Sequence, residues 1–209
     1  MVGRIIETNE DLAEGALWLA GRDARFARLL DATGPLPLRR RPSGFAALLD
    51  IIMAQQVSVA SANAIWARLE GAGLTAPAPI LAAGEEGLRA CGLSRQKVRY
   101  ALALAGAGMD FDGLAGQPDA LVIDRLDSLP GVGRWTAEIY AMFALGRADV
   151  FAPGDLALQE AARVLFDLAE RPSERALRQM AEDWSPWRAV AARALWAYYR
   201  LIKSREGIA

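Results

Sequence analysis

Histidine is missing from all 209 residues. Imidazole therefore serves neither as a general acid or base nor as a metal ligand, and proton transfer falls to carboxylates, tyrosines, lysines or water. Cysteine is nearly missing too: Cys91 stands alone. That removes a disulfide framework and, with no histidine, argues against a zinc or iron–sulfur site. No apolar run reaches the length of a membrane span, and the opening MVGRIIETNEDLAEG lacks the character of a signal peptide. The expectation is a cytoplasmic protein without a membrane partner. No segment alternates with period two for long, which argues against sheet. Charge of one sign is not in excess either, since 24 basic residues face 25 acidic ones for a net charge of −1. This counts against nonspecific coating of nucleic acid, though it leaves room for a basic face. Candidates for such a face are Arg39-Arg40-Arg41, the group Arg95, Lys97 and Arg99, and Arg134; each also suits a solvated surface. No repeat or low-complexity tract occurs.

What is present is alanine, leucine and arginine in helical periodicity, with 53% hydrophobic residues, enough for a sizeable core. The class is all-α. Thr8 with Asp11 predicts a capped helix to about Leu19, and Arg22 to Leu30 a second. The Pro/Gly/Arg-rich segment TGPLPLRRRPSG reads as a linker. Ser43–Ala54 and Ser58–Leu69 are expected as helices joined at Gln55-Gln56-Val57. Two short helices then end at Gly92, and Ser94 caps a longer one. Past residue 155, a helix runs to about Ala169, another opens at Pro172-Ser173, and Ser185-Pro186 predicts an N-cap and first-turn proline for the last.

The stretch from Leu126 to Gln159 carries the most chemistry. Leu129-Pro130-Gly131-Val132-Gly133 is a tight turn between two helical runs. Glycines there permit close backbone approach, and the free N–H groups of the following helix make an anion site for which phosphate is the usual occupant. Arg134 and Thr136, in the first turn, could add a charge and a hydroxyl. The same pattern suits an ordinary helix–helix turn. Asp155 follows Pro153-Gly154 and precedes LALQEAARVLF, which makes it an N-cap; it also suits an anion aimed into a cleft. Trp135, in line with Ile139 and Met142, reads as core on periodicity alone. On the last helix the apolar stripe is Trp187, Ala191, Ala194, Tyr198 and Leu201. Trp196 lies nearly opposite it, against a second buried surface or a cleft.

Together, LPGVGRWTAEIYAMFALGRADVFAPGDLALQ resembles the hairpin and catalytic-aspartate signature of the helix-hairpin-helix DNA glycosylases. Within them the chain is most similar to the 3-methyladenine DNA glycosylase II (AlkA) type. The resemblance extends through Gln55-Gln56-Val57-Ser58, through Gly92-Leu93-Ser94 with Lys97 and Tyr100, and through Trp184-Ser185-Pro186-Trp187-Arg188 to Trp196. It covers nearly the whole chain. It implies a two-lobed fold with the active-site cleft between lobes, one lobe of residues about 1–42 and 146–209, the other about 43–145 with the hairpin at 129–133. That type can carry an extra N-terminal α/β domain, for which no strand pattern is present here, so a short form is expected.

The resemblance also implies roles. Asp155 would be the catalytic carboxylate; Asp149 and Asp124 rival it by residue type only. Trp135, Trp196 and Ile139 would line the base pocket, where the family can carry tyrosine at the position of Ile139. Gly131, Val132, Gly133, Arg134 and Thr136 would grip the DNA backbone. Gln55 and Gln56 would enter the minor groove, with Gln56 filling the space left by the extruded nucleotide; an apolar residue can stand there in the family. No side-chain metal site is implied, but the family often holds a monovalent cation, Na+ or K+, at backbone carbonyls, here those of Asp127, Leu129 and Val132. No other cofactor is expected. Family members that also nick the strand use a lysine two residues past the second hairpin glycine, where this chain has Trp135, so the expectation is a monofunctional enzyme. The implied partner is double-stranded DNA with an alkylated purine such as 3-methyladenine or 7-methylguanine, bound by a monomer at the bacterial nucleoid. Alternatives are deaminated or oxidised bases on the same scaffold, or a noncatalytic binder of damaged DNA.

Overall fold

Capping side chains set where most of the helices begin. The computed structural model describes residues 2–205. Among them the helices are α1 (Asn9–Arg22), α2 (Ala24–Thr33), α3 (Phe45–Ala54), α4 (Val59–Gly71), α5 (Pro77–Ala90), α6 (Arg95–Gly106), α7 (Asp119–Asp127), α8 (Arg134–Phe143), α9 (Leu156–Leu165), α10 (Glu174–Met180) and α11 (Arg188–Arg205). Thr8 and Asp11 form the expected reciprocal box at α1. Ser58, Ser94 and Ser173 accept from first-turn amides of α4, α6 and α10. The two short helices before Cys91 are the halves of α5, broken at Gly84. Three boundaries differ most from the sequence expectation, one of them α9, which stops at Leu165, short of Ala169. The helix α1 runs on to Arg22, because Asp23, in extended conformation, both stops it and caps α2 through the Arg25 amide. Ser185 does not cap α11: the Ser185–Pro186 peptide is cis, the helix opens at Arg188, and the Ser185 hydroxyl donates to Asp149 Oδ2 at 2.8 Å.

The chain forms two units, Met1–Arg40 with Ala141–Ala209 and Arg41–Tyr140. The first packs α11 against α1, α2 and α9. Gly15 makes the α1–α11 approach possible, since a Cβ there would lie 2.6 Å from the Trp187 ring and 2.7 Å from Val190. Trp184 is the hub of an aromatic cluster with Phe26, Phe151 and Phe166, at centroid distances of 5.4 to 5.9 Å. An isolated antiparallel bridge pairs Ile5 with Arg147.

The second unit packs α3 on α4 and α6, and α5 on α6. Leu48, Leu49, Ile52 and Met53 of α3 are buried with Val98, Ala101 and Leu104 of α6.

Candidate DNA interface and catalytic carboxylate

In the second unit, Leu129-Pro130-Gly131-Val132 closes as a β-turn with the Val132 N–H donating to the Leu129 carbonyl at 3.0 Å. Gly131 holds φ +86°, which a turn with proline second and glycine third requires. Its missing side chain is also needed: a Cβ would sit 2.3 Å from the Tyr100 ring. The turn delivers Gly133 and Arg134, both exposed, to the start of α8. First-turn N–H groups have no intrahelical acceptor and sit at the positive end of the helix dipole, so an anion is favoured there. Arg134 lies beside them, its Nε 3.4 Å from buried Glu138 and its Nη1 3.9 Å from Asp124.

Two of the expected grip residues turn inward. Val132 is 2% exposed and its N–H is engaged within the turn. Thr136 is 3% exposed and its hydroxyl accepts from Gln55 Nε2 at 3.0 Å. A hydroxyl so placed supports the hairpin from below; it does not present itself at the surface.

Gln55 is the C-cap of α3. Its amide Nε2 reaches the Gly131 carbonyl and Thr136 Oγ1, each at 3.0 Å. Gln56, next in the chain, is exposed in the left-handed conformation at φ +58°, a backbone state uncommon for a non-glycine residue. Val57 and Val59 beside it are exposed apolar side chains.

Trp135 is 39% exposed, which corrects the core reading that its periodicity suggests. At the opening turn of α8 it has no preceding turn to pack beneath. Ile139, one turn on, is half-buried. Tyr140 points elsewhere: it is fully buried, its hydroxyl accepts from the Gly44 amide at 2.8 Å, and burial pushes the phenol up.

In the first unit, Asp155 caps α9 as expected. Its Oδ1 accepts from the Ala157 and Leu158 amides at 2.9 and 3.2 Å. The residue is half-buried, and Gln159 Nε2 donates to the Pro153 carbonyl at 2.8 Å, fixing the loop that leads into it. Asp149, a rival by residue type, accepts from Arg188 and Ser185; it is a structural carboxylate. Trp196 is half-buried and neighbours Phe143 at 5.7 Å between centroids. The guanidinium of Arg193 also stacks on Phe143, at 4.5 Å.

The basic clusters are not one open face. Arg40 donates to the Phe143 and Ala144 carbonyls, Arg41 pairs with Asp50, and the Lys97 amine donates to the Met53 carbonyl. Burial pushes the Lys97 ammonium below its ordinary range. Arg193 donates to the Ala189, Met142 and Leu38 carbonyls; burial, then repulsion from Arg40 and Arg39, pushes it down to about 10. Arg40 and Arg193 thus neutralise the carboxyl-terminal end of α8.

The HhH-GPD superfamily base excision DNA repair protein model matches residues 49–186. The chain belongs to this superfamily. Its relatives include DNA-3-methyladenine glycosylase 1 of Schizosaccharomyces pombe, 28% identical over 204 residues that cover 91% of this chain and 89% of that protein. Among solved structures, a DNA-3-methyladenine glycosidase from Bacillus halodurans superposes with TM-score 0.81 at 29% identity, covering 97% of this chain and 95% of that one. The S. pombe 3-methyladenine DNA glycosylase solved with abasic DNA gives TM-score 0.76 at 28% identity, covering 88% and 95%. The HhH-GPD match takes in the hairpin, Gln55-Gln56 and Asp155, while Trp196 lies beyond it. Sequence reasoning missed the supporting parts played by Lys97, Gln159, Arg40 and Arg193. Their bonds are to main-chain carbonyls, which leave no trace in residue type or spacing.

Proposed function

We propose that this protein is a monofunctional DNA glycosylase acting as a monomer on double-stranded DNA in the cytoplasm. It hydrolyses the N-glycosidic bond of alkylated purines, 3-methyladenine foremost, after the nucleotide is extruded. The substrate class follows the relatives' names; the chemistry rests on Asp155. Two amides at the start of α9 fix one carboxylate oxygen, so the anion is held in one orientation.

Breaking the C1′–N bond sends its electron pair to the departing base and leaves an oxocarbenium-like sugar. The Asp155 carboxylate stabilises that positive charge and orients the water that attacks C1′, whose proton passes to the carboxylate or to solvent. A purine alkylated at N3 or N7 leaves as a neutral base and needs no acid, which suits a chain without histidine. Trp135 and Trp196 supply electron-rich faces for a cationic base, with Ile139 beside Trp135 on α8. The grip on phosphate is assigned to the backbone of Gly131, Gly133 and Arg134, and the place of the extruded nucleotide to Gln56. The carbonyls of Asp127, Leu129 and Val132 are neutral oxygen donors suited to Na+ or K+. Leu129 O already accepts one N–H and keeps a second lone pair. Bound there, the cation would reinforce the positive field toward phosphate.

Methylated duplex DNA incubated with the full chain tests this. Release of 3-methyladenine, with strands intact until alkali is added, is the expected result. Strand cleavage without alkali contradicts the monofunctional assignment, and absence of release contradicts the substrate class.

A further inference from the structure

The turn Gln55-Gln56-Val57 and the hairpin are separated by some 76 residues of sequence yet are joined by one side chain. Both hydrogens of the Gln55 amide are used, one on the hairpin turn at Gly131 O, the other on the first turn of α8 at Thr136 Oγ1, each at 3.0 Å. The acceptor Thr136 is 3% exposed. The end of α3 that leads into the turn is fixed as well, by the Lys97 amine on the Met53 carbonyl. The hairpin in turn rests on the same helix, with Gly131 against the Tyr100 ring and the Tyr100 hydroxyl held by Gln96 at 2.7 Å. The α3–α4 turn, the hairpin and α6 therefore close a triangle of contacts.

Within that triangle Gln56 is the element left outside: exposed, left-handed, and next to the residue that makes the bonds. We infer that Gln55 is a positioning residue, a latch that locks the hairpin's amides and the Gln56 tip into one rigid body. Its side chain faces the protein, so it acts on DNA only through its neighbours. The consequence is energetic coupling. DNA held at the hairpin finds Gln56 already in place, and no ordering cost is incurred on insertion. This rests on the reading of the hairpin as the DNA grip.

The test uses the full chain and four variants: Gln55→Ala, Thr136→Val, Gln56→Ala and the pair Gln55→Ala/Gln56→Ala. Two readouts separate the latch from the DNA reading. The first is amide hydrogen exchange at Gly131–Trp135 without DNA, expected to quicken about tenfold in Gln55→Ala and in Thr136→Val, and by more than the amides of α3 and α6 in the same variants. The second is the preference for a duplex with a stable abasic analogue over the undamaged duplex. Gln55→Ala and Gln56→Ala are each expected to lower it about tenfold, and the pair no further than the worse single variant. Because Thr136→Val keeps the side-chain shape, it carries the test if Gln55→Ala fails to fold. Unchanged exchange at the hairpin, or losses that add in the double variant, overturn the latch. Faster exchange in a protein whose wild type shows no abasic preference upholds the latch as a structural link and overturns the DNA reading beneath it.

Discussion

At the scale of single residues, what separates a binding side chain from a core one is exposure together with partner. Trp135 and Tyr140 both sit on α8, yet one is 39% exposed and the other fully buried. Trp135→Ala is expected to keep the fold and to cost less stability than the roughly 3–5 kcal/mol of a fully buried tryptophan. Affinity for a flipped alkylated purine should fall by roughly 1–3 kcal/mol, the worth of one stacked base. Urea unfolding and single-turnover base release check the two halves. Asp23 shows the opposite case, a carboxylate whose work is structural. The hydrogen-bonded Arg25 side chain, then the Arg25 amide, hold its carboxyl below the ordinary value of 3.8. A lowered carboxyl contributes stability above its unfolded pKa and loses it as pH falls through the folded one. Asp23→Asn keeps a helix cap but not this charge. The variant is therefore expected to be less stable near neutrality, and to lose less stability than wild type between neutrality and about pH 3.

At the scale of elements, the hairpin depends on Gly131 for two separate reasons: φ of +86° and the Tyr100 ring 2.3 Å from where a Cβ would be. Gly131→Ala should weaken abasic-duplex binding more than tenfold. Tyr100→Ala in that background should recover only part, because the left-handed backbone still costs about 1–2 kcal/mol for a side-chain-bearing residue. Full recovery in a binding titration would mean that the clash alone mattered. This element was legible in the sequence as Pro-Gly-Val-Gly before a helical run, as were Asp155 and Ser94 as caps and the helix starts at Ser58 and Ser173. Local chemistry fixes those. What did not show were relations set by tertiary packing. Thr136 looked like a surface hydroxyl because first-turn threonines often are, whereas the Gln55 amide covers it. Arg39-Arg40-Arg41 looked like a charge run, whereas Arg40 reaches main-chain carbonyls more than a hundred residues away. Ser185-Pro186 carried a helix-start pattern that the neighbouring Asp149 carboxylate redirects.

At the scale of the whole molecule, the near-zero net charge and the inward use of Arg40, Lys97 and Arg193 reduce the cations open to phosphate. A phosphate grip made mainly by backbone N–H groups, as proposed for the hairpin, releases little counterion. The logarithm of the duplex binding constant against the logarithm of salt concentration is expected to slope no more steeply than about −4, at about −0.9 per neutralised phosphate. A slope near twice that would reveal a basic face. Whether one fixed carboxylate carries the proposed glycosylase chemistry is read from single-turnover release of 3-methyladenine from methylated duplex by wild type and Asp155→Asn. Asparagine caps a helix as well as aspartate does, so fold and abasic-duplex binding should persist. Release should fall by on the order of a hundredfold or more, as when a charge-stabilising group is removed from a transition state. Release by Asp155→Asn at the wild-type rate would contradict the assignment of the chemistry to Asp155.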